Sequence, residues 1–355
     1  MQMANKIYTM AIVGYGGMGS YHTKLIEPVD NIQVTGVFDI NKDRMKAAAE
    51  KGYKAYESLD ELLADSTVDI VLIATPNDVH RDLAISSLRA GKHVICEKPV
   101  TITSGELQDI MAVQQETNRV FTVHQNRRWD EDFLTIKHLI DTKQIGETFH
   151  LESRVQGANG IPGDWRQVKA PGGGMLLDWG VHLLDQLLLI TDSKIDSVWT
   201  ELSFILGTEV DDGFTSFIKF KDGLTALIEV GTTNYVKLPR WYVKGTEGSA
   251  ILRDWDLSGE IVRNNPDVAK VEPKPIKAGQ GLTKTMAPPS EESTLKLPLE
   301  KPPVPEQSFY ENFIAAIEGT SPQLVKNEEA LRVLRLIEAI FESAEKRAVL
   351  NDLNL

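Results

Sequence analysis

Six residues near the start of the chain, Gly14-Tyr-Gly-Gly-Met-Gly19, limit its folding choices more than any others. They follow an apolar run, Tyr8-Thr-Met-Ala-Ile-Val13, that reads as a buried strand, and they open onto a helical pattern. A strand, a tight glycine turn and a helix start let the backbone approach a pyrophosphate. The free N–H groups and positive dipole of the helix N-terminus then stabilise its charge. Gly14, Tyr15, Gly16, Gly17 and Met18 are therefore candidate cofactor contacts. An acidic residue is due at the end of the second strand, and Val37-Phe-Asp39 supplies it, so Asp39 is expected at the ribose hydroxyls. A carboxylate there repels a 2′-phosphate. Arg44, the nearest arginine, falls a turn into the next helix, and the expected cofactor is NAD in preference to NADP.

The alternation continues with Val34-Thr-Gly-Val-Phe38, Ile70-Val-Leu-Ile-Ala74, His93-Val-Ile-Cys96 and Val120-Phe-Thr-Val123. Ser58-Leu-Asp-Glu61 and Thr103-Ser-Gly-Glu106, lying between them, have capping-box form. Continuously apolar strands alternating with helices imply an α/β domain with a doubly wound parallel sheet, expected over residues 1–125. Residues 126–355 change character. Helical patterns over Trp129 to Ile140 and Leu176 to Ile190 precede strand-like runs at Ser197–Ile205, Phe214–Phe220, Leu224–Gly231, Trp241–Lys244 and Ala250–Leu252. Lys221-Asp-Gly223 reads as a hairpin turn. The expectation is an α+β domain on an antiparallel sheet, with an irregular proline-rich excursion over 264–305 and a last helix over about 327–347.

Composition narrows the partners. Lys and Arg number 38 against 51 Asp and Glu, a net charge of −13 that opposes phosphate backbones and anionic lipid, so neither nucleic acid nor membrane is expected. The single cysteine, Cys96, excludes internal disulfides and a cysteine-rich zinc module, and it reads as a small core residue. The polar first six residues show no secretory signal and no apolar run is long enough to span a bilayer, so a cytoplasmic location is expected.

Three further motifs fall beside the expected crevice. Thr75-Pro-Asn77, with His80 shortly after, follows the Ile70 strand; alone it is a proline turn capping a helix. Glu97-Lys-Pro99 follows the His93 strand and would project Lys98 into the same crevice. Asp178-Trp-Gly-Val-His182 supplies an acid–base pair, and at about 100° per residue Asp178, His182 and Asp185 share one helix face. A solvent-facing polar stripe explains the same spacing. A metal site does not fit, because no cysteine or second nearby histidine completes a ligand set. Gly172-Gly-Gly174 just upstream lets the chain bend near a ligand.

Taken in order, these motifs resemble the glucose–fructose oxidoreductase / inositol dehydrogenase / MocA family over essentially the whole chain. The resemblance implies an N-terminal Rossmann domain and a C-terminal domain on a large, mostly antiparallel open sheet that makes homodimers or homotetramers. It implies a catalytic trio of Lys98, Asp178 and His182, and a Lys98–Pro99 bond that is often cis in the family. It also implies cofactor contacts from Thr75, Pro76, Asn77, His80, Glu97, Lys98 and Arg44, from Asn126 in the crossing segment Asn126-Arg-Arg-Trp129, and from the pair Trp165-Arg166. Lys98, Arg127, Trp165, Asp178 and His182 would meet the substrate; from the residues alone, the Arg127, Trp165 and Trp241 regions are candidate pocket walls, and each aromatic could equally be core. The implied activity is NAD(P)-dependent hydride transfer at a secondary alcohol of a sugar, polyol or cyclitol. Two alternatives stay open: an NAD-assisted glycosidase or lyase without net redox, and an idle nucleotide-binding sensor.

Overall fold

In the computed structural model, which describes residues 6–269 and 272–355, two sheets carry the molecule. The first is built from β1 (Tyr8–Val13), β2 (Ile32–Phe38), β3 (Lys54–Ala55), β4 (Ile70–Ile73), β5 (His93–Cys96) and β6 (Phe121–Val123). Between them run α1 (Gly17–Ile26), α2 (Lys42–Glu50), α3 (Leu59–Ala64), α4 (His80–Arg89) and α5 (Ser104–Thr117). All pairs are parallel and the order is β3-β2-β1-β4-β5-β6, so the strand order reverses between β1 and β4. In such a sheet the ligand crevice lies outside the carboxyl ends of the strands at that switch point. β4 is buried along its length, as a strand covered by helices on both faces must be. β3 is two exposed residues long and carries no apolar signal.

The second part contains α6 (Glu131–Asp141), β7 (Thr148–Gln156), a π-turn (Leu176–Gly180), α7 (Val181–Leu188), β8 (Ile195–Ser203), β9 (Gly213–Phe220), β10 (Thr225–Gly231), β11 (Trp241–Gly245), β12 (Gly248–Leu252) and β13 (Gly259–Asn264). It ends with β14 (Ile276–Ala278), β15 (Gly281–Thr283), β16 (Thr294–Leu297), α8 (Phe309–Glu318), α9 (Asn327–Lys346) and β17 (Leu350–Asn351). Nine strands form one sheet in the order β16-β13-β12-β11-β7-β10-β9-β8-β17, antiparallel except for β7 beside β10. Phe214, Ser216, Ile218 and Phe220 of β9 point inward, where α9 covers the sheet and Ser343 of α9 accepts the Thr200 N–H. Outward-facing Trp199 and Phe217 pair across β8 and β9 and stay exposed.

The stretch expected to be irregular is partly ordered: β14 and β15 form a hairpin, and β16 adds an edge strand to the large sheet. Helix α8, which the sequence reading passes over, starts with a capping box between Ser308 and Glu311. Thr103 and Glu106 form the box expected of them. Glu61 instead accepts from Glu57 N, so only the Ser58 half of that box is present.

Candidate active site

The phosphate turn is shaped by close approach. Gly14 has φ +91°, and a Cβ on it would lie 2.6 Å from the Ala74 carbonyl oxygen, so only glycine lets β1 turn against β4. Gly19 packs directly on the Gly14 carbonyl, with no room for a side chain. Helix α1 starts at Gly16 without a side-chain cap, which leaves its first N–H groups, around Gly17 and Met18, free for an anion. Asp39, 8 % exposed, accepts from Tyr15 N at 2.7 Å and Asn41 N at 2.8 Å. The Tyr15 ring is buried and packs edge-on to Tyr53. Arg44 is closer than its sequence offset implies: its Nη1 is 3.3 Å from Asp39 Oδ2 and the guanidinium lies against Gly16. The first turn of α2 thus places a cation beside the Asp39 carboxylate, which offsets the negative charge on which the expected exclusion of a 2′-phosphate rests. Thr75 Oγ1 is buried without a partner among the described residues, next to Gly14. A glycine cradle, an uncapped helix start, a carboxylate at the second strand and an unpaired hydroxyl fit a dinucleotide.

Three expected cofactor contacts are engaged elsewhere. Pro76 leads into a short 3-10 turn in which buried Asn77 donates to the Gly172 carbonyl at 2.9 Å, so the asparagine anchors the triple-glycine loop. His80 is fully buried, with its ring nitrogens 2.9 Å from the Thr75 carbonyl and 3.1 Å from that of Pro99. It clamps the loops after β4 and β5 together. Glu97 is 5 % exposed and has no oxygen left for a ligand: Oε1 is 2.8 Å from both His22 Nε2 and His124 Nδ1, and Oε2 accepts from Lys98 N.

Lys98 and Asp178 meet across the two halves of the molecule. Lys98 Nζ donates to the Asp178 carbonyl at 2.8 Å and to its Oδ1 at 3.0 Å, and the Lys98–Pro99 bond is cis. Arg166 Nε is 3.4 Å from Asp178 Oδ2, while its Nη1 holds Asp164 and its guanidinium lies over the half-buried Trp165. Burial alone would raise the Asp178 carboxyl, but Lys98 and Arg166 outweigh it and keep the group ionised below the usual range. His182 is 4 % exposed and its Nδ1 has no partner among the described residues. Burial, aided by the Lys98 and Arg127 charges, pulls its pKa well below the ordinary histidine value. Burial and both charges therefore favour the neutral imidazole.

The helix carrying these groups departs from the expected spacing. The π-turn over Leu176–Gly180 interrupts the 100° step, and every residue of α7 is buried, so no polar stripe faces solvent. Asp185 leaves the group and takes a two-pronged bond from Arg128, at 2.6 and 2.8 Å, which also reaches Glu329 on α9. Asn126 opens the turn after β6, and next to it Gln125 Oε1 is buried without a partner among the described residues. Arg127 stacks on Trp179 at 4.2 Å and donates to Asp130. Trp241 is fully buried and bonds Asp132 through its indole nitrogen, so it belongs to the core and not to a pocket wall. Trp255, by contrast, is 44 % exposed and lies 6.2 Å from Trp179.

Sequence reasoning missed the buried set His22, Glu97 and His124, whose ligand-type atoms lie within 4.8 Å of one another. The histidines stand 75 and 27 residues from Glu97, beyond the reach of local spacing; the one local hint is that His22 follows the glycine turn by three residues.

Parallel sheet, switch point and phosphate cradle define a dinucleotide-binding protein, with the Lys98–Asp178 pair beside the carboxyl end of β5. Residues 8–125 match the family described as "Oxidoreductase family, NAD-binding Rossmann fold", and residues 133–251 match the "GFO/IDH/MocA C-terminal domain". The chain belongs to the Gfo/Idh/MocA oxidoreductase family. It is 30% identical over 325 residues to an uncharacterized oxidoreductase of Schizosaccharomyces pombe, covering 84% of this chain and 85% of that one. It is 26% identical over 350 residues to the scyllo-inositol 2-dehydrogenase (NADP(+)) of Bacillus subtilis, with 96% and 95% covered. A solved structure of an NAD-binding protein from Listeria innocua superposes with a TM-score of 0.96 at 63% identity, covering 98% of this chain and 100% of the other. The cofactor class is a nicotinamide dinucleotide. No helix among the described residues is long and apolar enough to cross a membrane.

Proposed function

We propose that this protein transfers hydride between a nicotinamide dinucleotide and the secondary alcohol, or matching ketone, of a sugar, polyol or cyclitol. The observation that carries the reading is the Lys98–Asp178 contact at the carboxyl end of β5, with the buried Nδ1 of His182, unpartnered among the described residues, four residues beyond Asp178 and under the influence of the Lys98 charge. A bound nicotinamide supplies the hydride acceptor or donor. In the oxidation direction His182 accepts the hydroxyl proton as a neutral base. The Lys98 ammonium donates to the substrate oxygen and stabilises the negative charge that develops there. Asp178 aims Lys98 and offers its carboxylate to a neighbouring hydroxyl. Arg127 and Trp165 border the substrate, and Trp179 and Trp255 add apolar faces of the kind that ring CH groups pack on.

The reading assigns NAD as the preferred cofactor through Asp39, with Arg44 the group that would accept a 2′-phosphate. It divides the chain into a cofactor domain, 1–125, and a substrate and assembly domain, 126–355. The exposed Trp199–Phe217 pair would join copies into a homodimer or homotetramer. The protein would work in the cytoplasm; light scattering of the purified chain reads its assembly.

The deciding experiment follows absorbance of the reduced nicotinamide over a panel of cyclitols, aldoses and open-chain polyols, with NAD and NADP in parallel. Reduction by a member of the panel, lost in His182→Ala while calorimetric NAD binding persists, supports the assignment. Bound cofactor without net reduction would overturn it in favour of a non-redox use of NAD.

A further inference from the structure

The Glu97 cluster lies behind Lys98 and is absorbed by neither the phosphate turn nor the substrate crevice. Its members come from four elements: His22 from α1, Glu97 from the end of β5, His124 from the end of β6 and Tyr310 from the first turn of α8. All four are at least nine-tenths buried. The Tyr310 hydroxyl is 2.5 Å from His22 Nδ1, and His22 Nε2 and His124 Nδ1 each lie 2.8 Å from Glu97 Oε1. Glu97 Oε2 accepts the Lys98 N–H at 3.0 Å.

The protons in this chain have one consistent arrangement. Burial works against the Glu97 charge, but the two histidines outweigh it and hold the carboxyl well below its usual range. Burial pulls His22 below its ordinary value and keeps the Tyr310 phenol protonated. With Glu97 ionised, both imidazoles donate to it. His22 Nδ1 is then a bare acceptor, and the Tyr310 hydroxyl donates to it. Each link depends on the next, and the chain ends on the backbone of the lysine that meets Asp178. The rings are packed as well: His22 on His124 and His124 on Phe309, each at 4.6 Å between centroids.

We propose that Tyr310, His22 and His124 act through Glu97 as a positioning network that sets Lys98 from behind and ties its placement to the docking of helix α8. The inference rests on Lys98 being the group that meets the substrate oxygen. None of the four touches substrate, so their removal acts on the chemical step through Lys98 and leaves binding alone.

Tyr310→Phe keeps the ring and removes only the hydroxyl, whereas Glu97→Gln keeps the shape and removes the charge. The expected losses in kcat are about fivefold and about a hundredfold. KM for the alcohol and NAD affinity should stay within about twofold, and the double variant should be no slower than Glu97→Gln alone, because members of one chain do not add. If Glu97→Gln does not fold, Tyr310→Phe decides alone, through reduced kcat at an unchanged melting midpoint. Independent of turnover, proton NMR should show low-field imidazole N–H signals that Tyr310→Phe shifts together with the Lys98 side-chain resonances. Multiplying losses, or a lowered melting midpoint with kcat intact, would overturn the proposal. So would one equivalent of a divalent cation in the purified protein, released by Glu97→Gln, since the cluster would then be a metal centre. A wild type without turnover on any substrate removes the catalytic reading of Lys98. In that case silent NMR in Tyr310→Phe removes the network too, and shifted signals leave it standing as a clamp on that lysine.

Discussion

At His182, burial and the Lys98 and Arg127 charges act in one direction, so the imidazole of the free protein stays neutral at a pH where an exposed histidine takes up a proton. The neutral form is the base that the proposed alcohol oxidation would need, and it persists from high pH down to the lowered pKa. The acid limb of kcat/KM for oxidation therefore belongs below about 6.5, the ordinary histidine value. A limb at or above it would place the essential base elsewhere. His182→Ala should lower kcat by about 10²–10⁴, the usual worth of a general base, with NAD affinity unchanged in calorimetry. The roles proposed for Asp39 and Arg44 can be told apart by cofactor. Asp39→Asn removes the charge that repels a 2′-phosphate, and Arg44→Ala removes the cation that would receive one. The first should weaken NAD and favour NADP; the second should weaken NADP and leave NAD nearly unchanged. Titration of both cofactors against both variants checks this, and equal losses for the two cofactors in Arg44→Ala would contradict it.

At the scale of the element, the π-turn that carries Asp178 is pinned at its start by Asp211, whose Oδ2 accepts from Leu176 N at 2.8 Å. Burial, with the neighbouring Asp212 charge adding to it, pushes Asp211 up to about 7. A carboxyl raised on folding contributes stability fully below its unfolded pKa, near 3.9, and loses it as pH rises toward 7. Asp211→Asn keeps an acceptor for Leu176 N and removes the titration. Its melting midpoint should exceed that of the wild type at pH 8, and the gap should close by pH 4. A wild type equally stable at both pH values, relative to this variant, would show that Asp211 stays ionised. The same elements show what could be read in advance. β4 and β5 were legible because both faces of the sheet are covered and the run is apolar throughout. β7, which sits mid-sheet, was hidden: its polar His150 and Arg154 bond Thr225 and Glu229 of the next strand and share Glu152 between them, contacts that no local apolar pattern announces. Lys98, Asp178 and His182 were legible because each sits in a short local motif. The break in their helix was not, because no residue type marks a π-turn. His22, His124 and Tyr310 escaped because their meaning lies in partners up to 288 residues away.

For the whole molecule, the Lys98–Asp178 contact joins the two halves: Lys98 follows β5 of the first sheet, while Asp178 lies between β7 and β8 of the second. Their 3.0 Å contact is only as accurate as the fit between the two halves. Helix α9 sets much of that fit. It lies on the inner face of the large sheet and reaches back to the first one, where Asn327 donates to the Phe121 carbonyl and to Gln114. Further along, the Glu338 carboxylate accepts from Ser104 N at 2.7 Å and Ser104 Oγ at 2.8 Å, adding a charge of the favourable sign to the start of α5 and taking an N–H that the Thr103–Glu106 box does not use. The hydrogen bonds of Glu338 go to Ser104, which is not among the predicted site residues. Truncating it to Ala removes a charge-assisted pair of hydrogen bonds, costing on the order of 1–2 kcal/mol in stability. It also frees one half to shift against the other. A misplacement of about 1 Å between reacting groups costs on the order of a hundredfold. Glu338→Ala should therefore lower kcat several-fold and leave NAD affinity intact, because the phosphate turn, Asp39 and Thr75 all belong to the first half. Glu338→Gln, which restores one acceptor to Ser104, should recover part of the loss. Steady-state kinetics beside calorimetric NAD titration separates the outcomes. Parallel losses in kcat and NAD affinity would mean that Glu338 supports the first sheet itself, and unchanged kcat would mean that the halves hold their register without it.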